Sequence, residues 1–368
     1  MRVGFDIEVP LFDAKTRKLI LPYEDAGISR LMTDIPEDNV KRRRISGDEK
    51  AFVHTDGVML ELNPQPFSCR VHSYWTLLDC IQGGKQLVEK ALKRSVVMLP
   101  IPVIKLPKRI LESADENTVQ LGCRAEYNAY TGEEYRPEIN YRSYPYRGAG
   151  GHIHFEIAKI FQQYDRRTGT YIAKKFDLPT AIKIVKHLDK ILGLLSVAIA
   201  IYPRLEAVRR ELYGRAGSFR IQPHGLEYRV LSNFYMLHPT LKSLFHHLGR
   251  YIVNELAHTG NNVSESLIFQ KLNEIGEDKI IQIINNCDTV QAKKIFRLLK
   301  PEWPSLSANY SVLDLMMKHK VTRLFPLVDI QKAWTYGGEN DHSEFGWEDG
   351  VNPFYRKAKY DTYLRKRA

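Results

Sequence analysis

The sequence predicts an α+β protein, because a strand-rich first half gives way to a helical second half. Residues 1 to about 175 carry short alternating runs broken by Gly, Pro and Asn, with one helix among them. A long helix with an apolar second half follows, and from residue 239 to about 300 the pattern is helical with short breaks. Strands gathered first and helices gathered after them argue against a regular alternation of βα units.

The clearest early strands fall at residues 2–9, 57–62 and 151–155. The helix among them covers roughly residues 76–94, where Leu77, Leu78, Ile81, Leu87, Val88 and Leu92 recur near helical spacing. The long helix, 179–201, first sets Ile182, Ile184, Val185 and Leu188 against Lys183, Lys186 and Lys190. It then becomes apolar all round, as a helix entering a core does. A helix at 204–213 leads into Gly- and Arg-rich loops and a strand at 225–230. Helices at 240–257, 263–275, 278–284 and 289–299 follow, closed by Pro301 and Pro304, with a short one near 312–318. The acidic, Gly-rich segment 336–350 is expected to be a loop, with a basic tail after it. The expected organisation is a first unit over 1–238, a helical extension packed on it over 239–333, and the loop and tail over 334–368.

Composition narrows the functional classes. Of the 368 residues 43% are hydrophobic and 26% charged, a globular balance that excludes wholesale disorder. Cys69, Cys80, Cys123 and Cys287 are widely spaced with no CxxC pair, which argues against a disulfide framework or a zinc ribbon and for a reducing cytoplasm. The longest uncharged apolar stretch, 191–202, is about two-thirds of the roughly 20 residues that a bilayer requires, and no signal-like run precedes Asp6, so a soluble protein is expected. The net charge of +11 favours an anionic partner. Part of it sits in Lys41, Arg42, Arg43 and Arg44 and in a tail with Arg356, Lys357, Lys359, Arg365, Lys366 and Arg367. These runs are expected to be a solvated loop and terminus; contact with a polyanion or nucleic acid is the alternative.

The chemistry lies in pairs of residues two positions apart on strands. Side chains alternate across a strand, so Asp6 and Glu8, Glu61 and Asn63, His152 and His154, and Glu227 and Arg229 each share a face. The residues between them, Ile7, Leu62, Ile153 and Tyr228, are suited to a core on the other side. A face turned to solvent would draw on Lys, Thr, Ser and Gln as well; these pairs are acids, His, Asn and Arg. Several acids on one sheet face repel one another unless cations sit between them. Hard divalent cations such as magnesium take carboxylate oxygens with an occasional imidazole. Residues 213–220 supply the complement, with Arg215 and Arg220 to grip phosphate oxygens and Gly214 and Gly217 to let backbone amides approach them. A Gly- and Arg-bearing turn is by itself an ordinary structural loop; beside a metal-capable face it suits ATP.

Five segments, 4–8, 56–64, 121–129, 147–154 and 215–233, resemble in sequence and order the motifs of the glutamine synthetase and glutamate–cysteine ligase superfamily. They are most similar to its phage-type carboxylate–amine ligases of the second type, and the likeness spans about residues 3–235. That resemblance implies a curved, mainly antiparallel sheet with the site on its concave face and helices behind. It implies two or more magnesium ions held by Asp6, Glu8, Glu61, His152 and Glu227, with Asp56 or Glu126 as further ligands. It also implies that His154 faces the phosphates of ATP, that Arg215 and Arg220 meet substrate and phosphate, and that Arg229 steadies the transferred phosphoryl group. Asp6 is shorter than the Glu of glutamine synthetase, leaving room for a water at the metal. No small N-terminal domain precedes Asp6, so an amine larger than ammonia is expected, and a glutamine synthetase-like dodecamer is not.

The function expected from these residues is ATP-dependent joining of a carboxylate to an amine through an acyl phosphate, in the cytoplasm, which is the host's if the chain is phage-encoded. The rivals are an ATP- and magnesium-dependent phosphotransferase on the same scaffold and a basic nucleic-acid-binding protein, which would leave the paired acids without a purpose. Neither substrate is named by the motifs; segments 34–50 and 336–350 are the expected specificity loops.

Overall fold

The computed structural model describes residues 1–22, 42–45, 48–113, 126–135, 139–157, 162–165, 167–173, 176–259, 267–300, 310–324, 327 and 329–335. A nine-stranded sheet organises them. Its strands, in chain order, are β1 (Val3–Val9), β2 (Arg42–Ile45), β3 (Asp48–Asp56), β4 (Met59–Asn63), β5 (Glu126–Asn128), β6 (Glu134–Tyr135), β7 (Gly151–Glu156), β8 (Ser218–Gln222) and β9 (Gly225–Tyr228). They lie in the order β6-β5-β8-β9-β7-β1-β4-β3-β2, and every pairing is antiparallel. The architecture is thus the expected α+β, with an open, antiparallel sheet and helices.

Alternation splits the sheet into two faces. Val3, Phe5, Ile7, Val9, Val53, Leu60, Leu62, Ile153, Phe155, Phe219, Leu226 and Tyr228 are all buried on one side. Helix α1 (Arg70–Leu92) packs there, closely enough that a β-carbon at Gly84 would stand 3.2 Å from Val53. The helix begins six residues before the sequence reading placed it, because Tyr74 and Trp75 already belong to its buried face.

The long central helix is interrupted. Asp177 caps α2 (Leu178–Leu188), accepting from the Thr180 amide at 3.0 Å. A π-helical turn, Asp189–Gly193, then leads into α3 (Leu194–Ala198). Asp189 on this turn is fully buried and accepts from Tyr228 Oη and the Gly217 amide, each at 2.6 Å. The widened turn therefore coincides with a carboxylate bonded to β9 and to the loop before β8.

Helices α4 (Pro203–Leu212), α5 (Pro239–Thr259), α6 (Leu267–Ile275), α7 (Glu277–Asn285), α8 (Thr289–Leu298), α9 (Tyr310–Lys318) and α10 (Ile330–Thr335) follow, and short helices lie at Lys108–Ser113 and Val321–Leu324. One hydrophobic core runs from Val3 to Trp334, whose indole donates to Met236 O at 2.9 Å. Among the described residues no helix is long and apolar enough to cross a membrane.

One expectation fails. Arg42, Arg43 and Arg44, expected in a solvated loop, lie in strand β2 at the sheet edge, paired with β3. An edge is where a sheet accommodates charge, because one side of the strand has no neighbour. Segment 34–50 is accordingly part loop expectation and part strand, with residues 34–41 outside the described residues. The acidic segment 336–350, the basic tail and residues 121–125 also lie outside them.

Candidate active site

The antiparallel register gathers the polar face into a site. Across the central strands Asp6 stands opposite His152, Glu8 opposite Glu61, His154 opposite Glu227, and Arg220 opposite Glu227. A hairpin with Gly57 at φ 53° folds β3 back on β4 and sets His54 opposite Glu61, with Asp56 two residues further on. Directly opposed residues come within about 5.5 Å at Cβ, so charges on adjacent strands meet.

One group centres on Glu8, Asp56 and Glu61, which bring one carboxylate oxygen each within 4.8 Å of the others. Glu8 Oε2 accepts from the Gly150 amide at 2.6 Å and from Tyr213 Oη at 2.8 Å. His54 Nε2 lies 3.2 Å from Glu61, and Asn63 Nδ2 donates to Glu61 Oε1 and reaches His54 Nδ1, both at 3.1 Å. Burial, and then the neighbouring Asp56 charge, pushes Glu8 up to about 7. Burial and Glu61 push Asp56 up to about 6. Burial also raises Glu61, against the pull of His54. These shifts share one origin: three carboxylates occupy a site with too little positive charge around it.

The second group centres on Asp6, His154 and Glu227, whose ligand atoms again lie within 4.8 Å of one another. His154 Nε2 is 2.6 Å from Asp6 Oδ2, and its Nδ1 is 3.1 Å from His224 Nε2. Burial lowers the pKa of His154, but Asp6, Glu227 and Glu61 together outweigh it and the net shift is upward. Glu227 is bonded by Arg229 Nη1, accepts from Gln222 Nε2 at 2.7 Å and lies 3.8 Å from Arg220 Nη1. Burial raises Glu227, yet Arg229, His152, His154 and Arg220 together hold it well below the usual carboxylate range.

Arg229 joins this group to Glu126, donating from Nε at 3.0 Å. Glu126 also accepts from Ser218 Oγ at 2.9 Å and lies 3.3 Å from the Gly214 amide. Both Arg229 and Glu126 are buried, so their charges answer each other in a medium that screens them little. His152 lies between the groups, its Nδ1 3.4 Å from both Glu227 and Arg229. Burial and Arg229 depress its pKa strongly, so the imidazole is neutral. Its Nε2 is buried without a hydrogen-bond partner. The backbone crowds this ring: a β-carbon at Gly150 would fall 2.4 Å from His152 Nε2, and one at Gly151 would fall 2.3 Å from Ser232 O.

The residues fit the ion that the sequence asked for. Both groups offer oxygen donors with at most one imidazole, the ligand set of magnesium, and the raised carboxylates of the first mark a site short of cations. Of the residues picked out in the sequence, Asp6, Glu8, Glu61, Glu227, His152, His154, Arg220 and Arg229 come together on this face. His154, not His152, stands with Asp6 and Glu227, and Asp56 completes the set of Glu8 and Glu61. Arg215 stands apart, its guanidinium over the Tyr135 ring at 5.3 Å near the sheet edge.

Three contributors escaped the sequence reading. His54 repeats the spacing of two with Asp56 and could have been found by extending the strand pattern backwards. Tyr213 lies inside the Gly- and Arg-bearing segment, and only the fold shows its hydroxyl on Glu8. Arg209 left no signal. Fully buried on α4, it donates to Ala149 O at 3.0 Å, Val230 O at 2.9 Å, Arg229 O at 3.1 Å and Leu231 O at 2.7 Å. It thereby fixes the backbone at Arg229 and over the two residues after it, and next to Gly150.

No curated protein matches the chain. A family model described as phage phiEco32-like COOH.NH2 ligase-type 2 matches residues 161–292, a span that contains Arg220, Glu227 and Arg229 but not the acids of β1 and β4. The match bears out the resemblance to the phage-type carboxylate–amine ligases and supports an enzyme of that type.

Proposed function

We propose that the protein is an ATP-dependent carboxylate–amine ligase that forms an amide through an acyl phosphate on a glutamine synthetase-like sheet. The observation that carries this is the pairing, on one sheet face, of two metal-capable carboxylate groups with the buried Arg229 and the nearby Arg220. Asp6, His154 and Glu227 would hold one magnesium ion, and Glu8, Asp56 and Glu61 another. Bound magnesium supplies positive charge to the phosphate oxygens of ATP. Catalysis falls to the unit over residues 1–238, with the later helices supporting it.

In the first step a carboxylate oxygen of the acid substrate attacks the terminal phosphorus of ATP and ADP leaves. In the second the amine attacks the acyl carbon, phosphate leaves, and the amine gives up a proton. The transferring phosphoryl group spreads its charge over its oxygens, so positioning and electrostatics do most of the work. Arg229 is suited to that charge because Glu126 and Glu227 fix its fork and Arg209 fixes its backbone. Arg220 reaches toward the same carboxylate from β8 and can extend the cationic wall. Tyr213 and the Gly150 amide orient Glu8.

The test is mass spectrometry of a small-molecule host extract incubated with ATP, magnesium and the protein. The expected product is an acid plus an amine less one water, formed in step with ADP, and hydroxylamine should divert it to a hydroxamate. ATP turnover indifferent to any added amine would instead identify a phosphotransferase.

A further inference from the structure

On the helical side of the sheet, away from the carboxylates, a cavity of about 350 Å³ opens between the start of α1 and the middle of α5. It is lined by Ser68, Cys69, Arg70, His246, His247 and Arg250, none of them acidic. Arg250 Nη1 donates to Ser68 O at 2.5 Å and so ties α5 to the chain just before α1. Lys242, one turn before His246, is buried behind the lining; its ammonium donates to Ser73 Oγ and lies 4.6 Å from the Phe5 ring.

Two independent observations point to a ligand. His246 is only 1% exposed, and neither of its ring nitrogens has a hydrogen-bond partner. Burial, and then Lys242, Arg250, His247 and Arg70, hold that imidazole well below its ordinary pKa, which marks the surroundings as cationic. The second observation is the start of α1. The helix is 23 residues long, no acid lies in its first turn, and no side chain caps it. Its first amides and its dipole therefore face a region already rich in positive charge.

We propose that this cavity binds a phosphoryl group, carried either by free phosphate or by a small phosphorylated molecule. A carboxylate would bring a single charge to the two lining guanidiniums, Arg70 and Arg250. A phosphate dianion answers both, and its oxygens can accept from Arg250, His246 and the α1 amides together. The volume sits at the small end of ligand pockets, with room for a phosphate and a few further atoms. No lining residue belongs to the carboxylate site, so the inference stands apart from the ligase proposal.

Calorimetric titration of the full chain with inorganic phosphate, with O-phosphoserine and with acetate tests it. Each titration is repeated on Arg250→Gln, on His246→Phe and, as a control in the other site, on Arg220→Gln. Phosphate or phosphoserine should bind the parent chain, with affinity about tenfold or more weaker in Arg250→Gln and unchanged in Arg220→Gln. Equal affinity for the two phosphates identifies free phosphate as the ligand, and tighter phosphoserine identifies a phosphorylated molecule. A second readout needs no substitution. Cys69 is exposed, and peptide mapping of its alkylation by iodoacetamide should show several-fold slowing by phosphate. Acetate binding as well as phosphate, loss of affinity only in Arg220→Gln, or alkylation indifferent to phosphate would each overturn the assignment.

Discussion

Replacing Glu8 by glutamine isolates the electrostatic debt of the carboxylate site. Burial and Asp56 raise the Glu8 carboxyl from its ordinary 4.5 to about 7 in the folded protein. The folded state therefore holds that proton more tightly than the unfolded chain does. Its contribution to stability is complete below about pH 4.5 and is lost as the pH rises through about 7. The shift corresponds to about 3 kcal/mol, on the order of a third of the stability of an ordinary domain. The glutamine amide keeps an oxygen to accept from Gly150 and Tyr213 but does not titrate, so the difference between parent and variant reports this carboxyl together with its repulsion of Asp56 and Glu61. Urea unfolding in the presence of chelator, from about pH 4 to pH 8, should show the parent losing about 3 kcal/mol relative to Glu8→Gln. Saturating magnesium should flatten that difference, because the ionised carboxylate then has a cation beside it. A difference that stays flat across this range in chelator would refute the crowding argument and, with it, the need for an ion.

Three further outcomes are expected. Binding of a non-hydrolysable ATP analogue should weaken about a hundredfold or more in chelator, measured by calorimetry; equal affinity with and without magnesium excludes the metal sites. Arg229→Lys should lower ADP formation about tenfold or more while circular dichroism stays unchanged, since lysine keeps the charge but not the fork shared between Glu126 and Glu227. Arg209→Met should destabilise the fold by about 3 kcal/mol or more in denaturant titration, because the carbonyls of Ala149, Arg229 and Val230 lose the guanidinium as donor and Leu231 O keeps only the Gly151 amide.

The two faces of the sheet were legible in the sequence because a period of two needs no knowledge of neighbours. Asp6, Glu8, His152, His154, Glu227 and Arg229 could be assigned to shared faces from spacing alone. Which of them meet could not, since that depends on register. His152 and His154 point the same way, yet only His154 falls within reach of both Asp6 and Glu227. Asp56 and His54 share the spacing of two, but that His54 meets Glu61 follows only from the hairpin register. Arg209 was invisible for a deeper reason: its partners are backbone carbonyls, which every residue type carries. The β2 arginines misled because a run of charge reads as a loop, and an edge strand can carry charge while still being paired.

The glycines beside His152 set the evolutionary latitude of this wall. At residues 150 and 151 even a methyl group would collide, with an imidazole nitrogen in one case and a main-chain oxygen in the other. A library randomised at both positions should therefore return glycine at each. Variation of this sheet face must then be drawn from other positions, while the two glycines keep the main chain close to the imidazole.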